Sequence, residues 1–411
     1  MKLLVVGGGS GGHITPAIAV VREVLEKKPR TRVEFWTDRK YYKNVVKNTT
    51  EIGIKWGKEN ENKKEYIRVR KVSSGKFHRY AGWKFVDYFK YIDVTLGKLI
   101  WGNIVGFFGF IFGILQSFFR LASKENRPDI IFLKGGFVGL PVGIVAKLLK
   151  IPYVIHESDM VPGLANRLLM KRAKVVAMGM PFDEKPGREN WKWVGIPVAE
   201  EFKKVSEVRK KSLKKAFGFD EEKPLVVVTG GSQGALTIDE AMRVILPDLL
   251  KICSVGLVAG RKHYELMIDL KKYEEWDKAE LKSNFRMWEF NSAMFDLLGA
   301  ADVVVSRAGA TTIAELASLE KAVILVPYAR LAGGHQVKNG EKLEKDGAVL
   351  IVNDEKMQKK PEILLDTIKH LIRSPKEREE LAMKLNGQNK ANAAGALADI
   401  LFEVEENERK K

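Results

Sequence analysis

KLLVVGGGSGGH, residues 2–13, decides the fold. Leu3–Val6 is a continuous apolar run, which marks a strand covered on both faces, as in a parallel sheet. It passes without a linker into Gly7-Gly8-Gly9-Ser10-Gly11-Gly12-His13. Glycines in such a turn let backbone N–H groups approach an anion closely, and a following helix adds positive potential at its N-terminus. Thr15 offers an N-cap hydroxyl and Pro16 fits a first helical position, so the helix is predicted to begin at Pro16. Gly7-x-Gly9-x-x-Gly12 also satisfies the dinucleotide fingerprint, with Asp38 as a ribose acid. A plain strand–helix turn with no ligand is the simplest alternative.

The same grammar recurs from end to end. Strands are predicted at Lys2–Val6, Arg32–Thr37, Tyr66–Val69, Asp129–Leu133, Tyr153–His156 and Lys174–Ala177. A second series follows at Leu225–Thr229, Ser254–Ala259, Asn284–Glu289, Val303–Ser306, Val323–Val326 and Ala348–Val352. Stretches of helical length separate most of them, so the chain is read as α/β, with two doubly wound parallel-sheet domains facing a central cleft. The boundary is placed in PFDEKPGRENWKWVGIPVAE, residues 181–200, which is rich in Pro, Gly and charge. That gives domains 1–198 and 199–388, with a closing helix at 389–408 expected to pack back on the first.

Composition narrows the classes. With 45% apolar residues in 411, the chain can bury full-sized cores, which excludes a disordered or low-complexity protein. One cysteine, Cys253, excludes an internal disulfide framework and any multi-cysteine zinc site. The apolar run before the first glycines is too short for a signal peptide. The net charge of +18 is divided unevenly. Residues 1–199 hold 35 basic against 17 acidic side chains, whereas residues 200–411 hold 35 of each sign.

Ligands of open α/β sheets bind beyond the carboxyl ends of strands, so the loops after strands carry the functional signal. Gly230-Gly231-Ser232-Gln233-Gly234-Ala235 holds the same place in the second domain as the first glycine loop holds in the first. Two anion cradles suit two substrates better than one dinucleotide. Lys134-Gly135-Gly136-Phe137 is a third glycine element after a first-domain strand. Ser306–Glu315, SRAGATTIAE, is another strand-to-helix turn. There the N–H groups of Ala310, Thr311 and Thr312 suit phosphate oxygens, and Glu315 can accept from sugar hydroxyls. Gln336, in Gly333-Gly334-His335-Gln336, can donate and accept at once, as sugar recognition requires.

Together these stretches resemble one family, the UDP-N-acetylglucosamine–N-acetylmuramyl-(pentapeptide) pyrophosphoryl-undecaprenol N-acetylglucosamine transferases of bacterial cell-wall synthesis. The resemblance rests on GGGSGGH, KGGFVGLP, HESDMVPGLANR, GGSQGA, RAGATTIAEL and GGHQVKN, in that order along nearly the whole chain. It implies a two-domain Rossmann-like glycosyltransferase of GT-B type, with UDP-GlcNAc as donor and a polyprenyl-diphosphate-linked acceptor. The acceptor's C4 hydroxyl displaces UDP with inversion, and no cofactor or metal is required, with a divalent cation at the acceptor diphosphate left open. By the same resemblance, Ser232 and the N–H groups around Thr311 and Thr312 hold the UDP phosphates, with Gln233, Gly234 and Ala310 also in the donor site, while Glu315 takes the ribose, Phe290 the uracil and Gln336 the GlcNAc. Gly9, Ser10, Gly11, Gly12, His13, Gly135 and Gly136 cradle the acceptor diphosphate. Inversion needs a base, for which His13 is the candidate; Asp159 assists it or orients the acceptor, and His156 competes. Two departures stand out: Ala199 follows Gly195-Ile196-Pro197-Val198 where relatives often have arginine, and Ser158-Asp159 replaces a common Gln-Asn.

Between Lys98 and Arg120 lie 21 uncharged residues, LIWGNIVGFFGFIFGILQSFF, about enough to cross a bilayer as a helix. They interrupt strands of one sheet, which a single crossing would split, so a surface-lying helix is expected instead. Gly102, Gly106, Gly109, Gly113 and Gln116 form a small stripe for close packing. Trp101, Phe108, Phe112 and Phe119 form an aromatic stripe expected to contact membrane. Lys76, His78, Arg79, Lys84 and Lys90 alternate upstream with aromatics, as in an interfacial anchor. The partners expected are UDP-GlcNAc, the lipid acceptor, an anionic surface at the cytoplasmic face of the cell membrane and other cell-wall synthesis proteins, but no nucleic acid. The competing readings are a glycosyltransferase acting on a diacylglycerol or another polyprenyl acceptor, an NAD(P)-dependent oxidoreductase and an inactive membrane scaffold.

Overall fold

Strands apolar along their whole length need cover on both faces, and the computed structural model supplies it twice. It describes residues 1–57, 67–75, 94–181, 189–231, 234–260, 263–268, 283–329 and 334–411. The chain forms two units, one of Met1–Ala199 with the closing Lys390–Lys411, the other of Glu200–Ala329 with Gly334–Asn389.

The first unit is built on β1 (Lys2–Val6), β2 (Arg32–Thr37), β3 (Ile67–Lys71), β4 (Ile130–Leu133), β5 (Tyr153–Glu157), β6 (Val175–Met178) and β7 (Trp191–Trp193). Their order is β3-β2-β1-β4-β5-β6-β7, and every pairing is parallel, with Leu3 opposite both Val33 and Ile130. The order reverses beside β1, so the loops after β1 and β4 emerge side by side. One face of the sheet is covered by the helices Gly11–Lys27 and Ala393–Arg409, which bury Val20, Val21, Leu397 and Leu401. The helices Gly139–Leu148 and Val94–Ala122 cover the other, burying Leu121, Val142 and Val145 against Ile131 and Leu133. The closing helix is also pinned electrostatically, since the Lys27 ammonium lies 2.7 Å from Asp399 and donates to the Gly395 carbonyl.

The second unit repeats the plan with β8 (Leu225–Thr229), β9 (Ser254–Val258), β10 (Phe285–Trp288), β11 (Val303–Ser306), β12 (Ala322–Leu325) and β13 (Leu350–Ile351). Its parallel order is β10-β9-β8-β11-β12-β13, which puts the loops after β8 and β11 together at its own reversal point. Helix Leu236–Leu250 buries Ile238, Met242, Ile245 and Leu249 on this sheet.

Three details depart from the sequence reading. The first helix begins at Gly11, with Ser10 at its N-cap, so Pro16 lies within it. Pro16 forfeits the N–H that would reach the Gly12 carbonyl, a loss that an early turn tolerates better than a helix centre. Trp191–Trp193 pairs with β6 as an edge strand inside the stretch read as a linker. Finally, the apolar segment belongs to the 29-residue helix Val94–Ala122, longer than the uncharged run itself.

That helix docks through its small stripe. A Cβ on Gly113 would stand 2.1 Å from the Ser73 carbonyl oxygen, and one on Gly109 would stand 3.3 Å from that of Ser74. Gln116 accepts from the Ser73 N–H at 2.9 Å and donates to the Lys71 carbonyl. The opposite stripe is open: Trp101, Phe108, Phe112 and Phe119 are 59–73% exposed. Leu148 and Leu168, from neighbouring helices of the same unit, are exposed as well. The helix is long and apolar enough to cross a membrane by length and composition. The basic and aromatic stretch from Lys76 to Tyr91 lies outside the described residues.

Candidate functional site

In the first unit, the loops after β1 and β4 interlock. A Cβ on Gly9 would come within 2.6 Å of the Phe137 ring, and one on Gly136 within 3.0 Å of the His13 ring atoms Cε1 and Nδ1. Both glycines have positive φ, so both need glycine for conformation as well as space. Gly11, Gly12 and His13 open the helix, and no side chain caps it, although the His13 N–H turns back onto the Ser10 carbonyl at 3.2 Å.

His13 is half-buried, with Nδ1 2.9 Å from the Gly8 carbonyl and 3.1 Å from Ser10 Oγ. A carbonyl only accepts, so Nδ1 carries the proton and Nε2 keeps its lone pair. Burial, then the positive charge of Lys134, pushes the imidazole down to about 4. His13 is therefore neutral through the physiological range. His156 is different. It is fully buried, donates from Nε2 to the Gly195 carbonyl at 2.8 Å, and leaves Nδ1 without a partner. Burial holds it neutral too, and no face of it is open to a substrate.

Asp38 does not behave as a ribose acid. One carboxylate oxygen accepts from the Gly9 N–H at 2.6 Å, and the other accepts from the N–H groups of Lys40 and Tyr41. A Cβ on Gly8 would lie 2.6 Å from it. Asp38 braces the glycine loop from behind, which removes the observation that favoured a dinucleotide. After β5, the buried Glu157 carboxylate accepts from the N–H groups of Asp159 and Gly163 and from Asn166 Nδ2. Asp159 is partly exposed, and its charge favours the protonated form of His13. The sequence reading passed over Lys134, which is 1% exposed and donates to Ser158 Oγ at 2.6 Å. A lysine opening a glycine motif looks like a surface residue, and only tertiary structure buries it.

In the second unit, helix Ala310–Ser318 starts behind Gly309, whose side-chain-free N-cap leaves the N–H groups of Ala310, Thr311 and Thr312 in the uncapped first turn. Glu315 lies in the next turn, partly exposed, and burial alone pushes its carboxyl up to about 8. Among the described residues no cation or donor compensates it. Such a carboxylate gains from hydroxyl donors. Gly234, in the loop after β8, has φ of +74° and no room for a Cβ, which would stand 2.5 Å from the Ala259 carbonyl. Ser232 and Gln233 lie outside the described residues.

Phe290 is 66% exposed just beyond β10, as a ring offered to a flat base would be. Gln336 Oε1 accepts from the Tyr328 N–H at 3.0 Å, which fixes the amide near the start of helix His335–Lys345. Arg307, although in the same turn as the phosphate donors, is structural. Its guanidinium donates to Asp354 at 2.7 Å, to Thr237 Oγ1 and to the Val326 carbonyl. A His263–Asp239 pair, 3.1 Å apart, also escaped the sequence reading because its members are 24 residues apart.

Comparison with known proteins agrees with this division. Residues 3–178 match the glycosyltransferase family 28 N-terminal domain and residues 225–397 its C-terminal domain. A UDP-N-acetylglucosamine–N-acetylmuramyl-(pentapeptide) pyrophosphoryl-undecaprenol N-acetylglucosamine transferase of Clostridium perfringens is 34% identical over 405 residues, covering 97% of each chain. A protein with that name from Bacillus cereus, numbered 2, is 31% identical over 396 residues, covering 94% of this chain and 96% of its own. Among solved structures, Acinetobacter baumannii MurG superposes with a TM-score of 0.64 at 21% identity, over 98% of this chain and 99% of that one.

Proposed function

The chain belongs to glycosyltransferase family 28 and, within it, to the UDP-N-acetylglucosamine–N-acetylmuramyl-(pentapeptide) pyrophosphoryl-undecaprenol N-acetylglucosamine transferases, and on that premise we propose how its residues carry the reaction. It is a UDP-GlcNAc-dependent glycosyltransferase that moves N-acetylglucosamine onto the C4 hydroxyl of undecaprenyl-diphosphate-N-acetylmuramoyl-pentapeptide, with inversion.

The observation that carries the donor assignment is the uncapped turn at Ala310–Thr312 with the uncompensated Glu315 carboxylate one turn further on. The three N–H groups take the UDP phosphates, and their preorganised dipoles stabilise the charge that grows as UDP departs. Glu315 takes the ribose hydroxyls, Phe290 packs on uracil and Gln336 holds the GlcNAc. Ser232 and its loop complete the phosphate cradle.

On the acceptor side, the glycine turns Gly9–Gly12 and Gly135–Gly136 cradle the lipid diphosphate, with the Gly9 N–H engaged by Asp38 and so holding the turn in shape instead of donating to the ligand. His13 Nε2 takes the C4 hydroxyl proton as that oxygen attacks the anomeric carbon. Without substrate, its basicity is held low by burial and by Lys134. The negative charge of a diphosphate raises it, so the base is strengthened by the substrate it serves. Asp159 pulls in the same direction.

The aromatic face of helix Val94–Ala122 meets an anionic membrane surface, where the acceptor resides. Its open phenylalanines and tryptophan, and the concentration of net positive charge in residues 1–199, support that placement. The decisive assay gives the purified chain UDP-GlcNAc and a soluble short-chain analogue of the lipid acceptor, and follows UDP release and product mass. Turnover on a diacylglycerol acceptor, with none on that analogue, refutes the acceptor assignment.

A further inference from the structure

A buried lysine is rare unless something nearby requires its charge. Lys134 is the first residue after β4 and carries its ammonium into the interior, where the Ser158 hydroxyl accepts from it at 2.6 Å. Ser158 is the first residue after β5, so this bond spans two strand-end loops that the sheet places side by side. The next residues on each side belong to the acceptor site: Gly135 and Gly136 follow Lys134, and Asp159 follows Ser158. A Cβ on Gly135 would stand 2.8 Å from Asn166 Nδ2, itself held by Glu157, so the loop after β4 also packs against the helix Leu164–Leu169 that follows the loop after β5.

We propose that Lys134 is a positioning residue for the transfer: through Ser158 it holds the loop that carries Asp159 beside the glycine loops of the acceptor site. This rests on the reading of His13 as the base. Lys134, just after β4, opposes protonation of His13, whereas Asp159 after β5 and Asp38 after β2 favour it; His156 on β5 is itself held neutral. Burial brings the Lys134 amine down to about 8, against the pull of Glu157 and Asp159, so it remains a cation at neutral pH. A diphosphate bound over both loops neutralises that cation, and its hold on His13 is released. Ser158-Asp159, the dipeptide that departs from the commoner Gln-Asn, thereby gains a purpose, because a short hydroxyl can accept from the buried ammonium.

The test measures kcat/KM for the acceptor analogue against pH in the full chain, together with the NMR titration of the His13 Cε1 proton. Lys134→Met is expected to move the His13 titration, and the acid limb of the profile, up by about one pH unit. Lys134→Arg, which keeps the charge, leaves the His13 titration near its original position. Ser158→Ala is expected to lower kcat/KM for the acceptor about tenfold, with KM for UDP-GlcNAc unchanged. A His13 titration unmoved in Lys134→Met overturns the electrostatic role, and an unchanged acceptor kcat/KM in Ser158→Ala overturns the positioning role. If Lys134→Met does not fold, Ser158→Ala decides alone. Full activity in His13→Gln removes the base assignment instead, while the NMR titration still reports whether Lys134 acts on that ring.

Discussion

Replacing Phe108 and Phe112 together by Asp puts the membrane reading at risk most directly. The two rings are 67% and 59% exposed on the open stripe of helix Val94–Ala122. Full burial of a phenylalanine from water is worth about 2 kcal/mol, so covering these exposed fractions yields about 2.5 kcal/mol for the pair. That corresponds to roughly 70-fold in partition coefficient, a minimum, because each aspartate adds its own repulsion from anionic lipid. The assay is co-sedimentation of the full chain with anionic vesicles over a lipid titration, repeated at low and high salt. Val208→Asp serves as control, since Val208 is 81% exposed but lies in the second unit. A wild-type partition coefficient for the double variant, or an equal loss in Val208→Asp, refutes the assignment of this face. Equal binding of the wild type to neutral vesicles at every salt concentration refutes its electrostatic part.

Other perturbations reach the site. Ala310→Pro suits a first helical position, and Gly309 already has the extended backbone that proline requires before it. The substitution removes one phosphate donor, so KM for UDP-GlcNAc should rise about tenfold with little change in melting temperature. At pH 7 the Glu315 carboxyl holds its proton, so UDP binding should release protons, read by calorimetry in buffers of different ionisation enthalpy and absent in Glu315→Gln. Because its folded value lies above the unfolded one, Glu315 makes the native state progressively less stable as pH rises from about 4.5 to about 8. Glu315→Gln should therefore melt higher than wild type at pH 8 and alike at pH 4. On the apolar helix, Gly113→Ala should cost about 2 kcal/mol in urea unfolding, since the Ser73 backbone must move, whereas Gly109→Ala should be close to neutral. Equal effects at the two glycines refute the packing account.

Much of this molecule is legible in its sequence because parallel strands are apolar throughout and their loops are marked by glycine. Lys2–Val6, Arg32–Thr37, Leu225–Thr229 and Val303–Ser306 coincide with β1, β2, β8 and β11. β7 escaped because Trp-Lys-Trp is three residues long and sits beside a polar, proline-rich stretch that imitates a linker. The first helix started early because glycines, poor helix formers alone, gain from the strand-end turn that positions them. At the candidate site, residue types announced where an anion could bind. They did not announce what stands behind the loop. Asp38 looked like a ligand group and is a brace, whereas Lys134 looked like surface and is interior. Both depend on contacts between elements distant in sequence, which local pattern cannot carry.

The packing of Ala393–Arg409 on Gly11–Lys27 has a consequence in time. Synthesis delivers the second unit's full set of strands before the helix that closes the first unit's sheet. Until Leu397 and Leu401 have emerged from the ribosome, Val20, Val21 and their neighbours lack the cover that those two residues provide. The first unit must therefore wait, with one face of its core uncovered, while the unit inserted into it can already fold. A slow final step in refolding, sensitive to Leu397→Ala and indifferent to substitutions in the second unit's core, is the kinetic signature of that order.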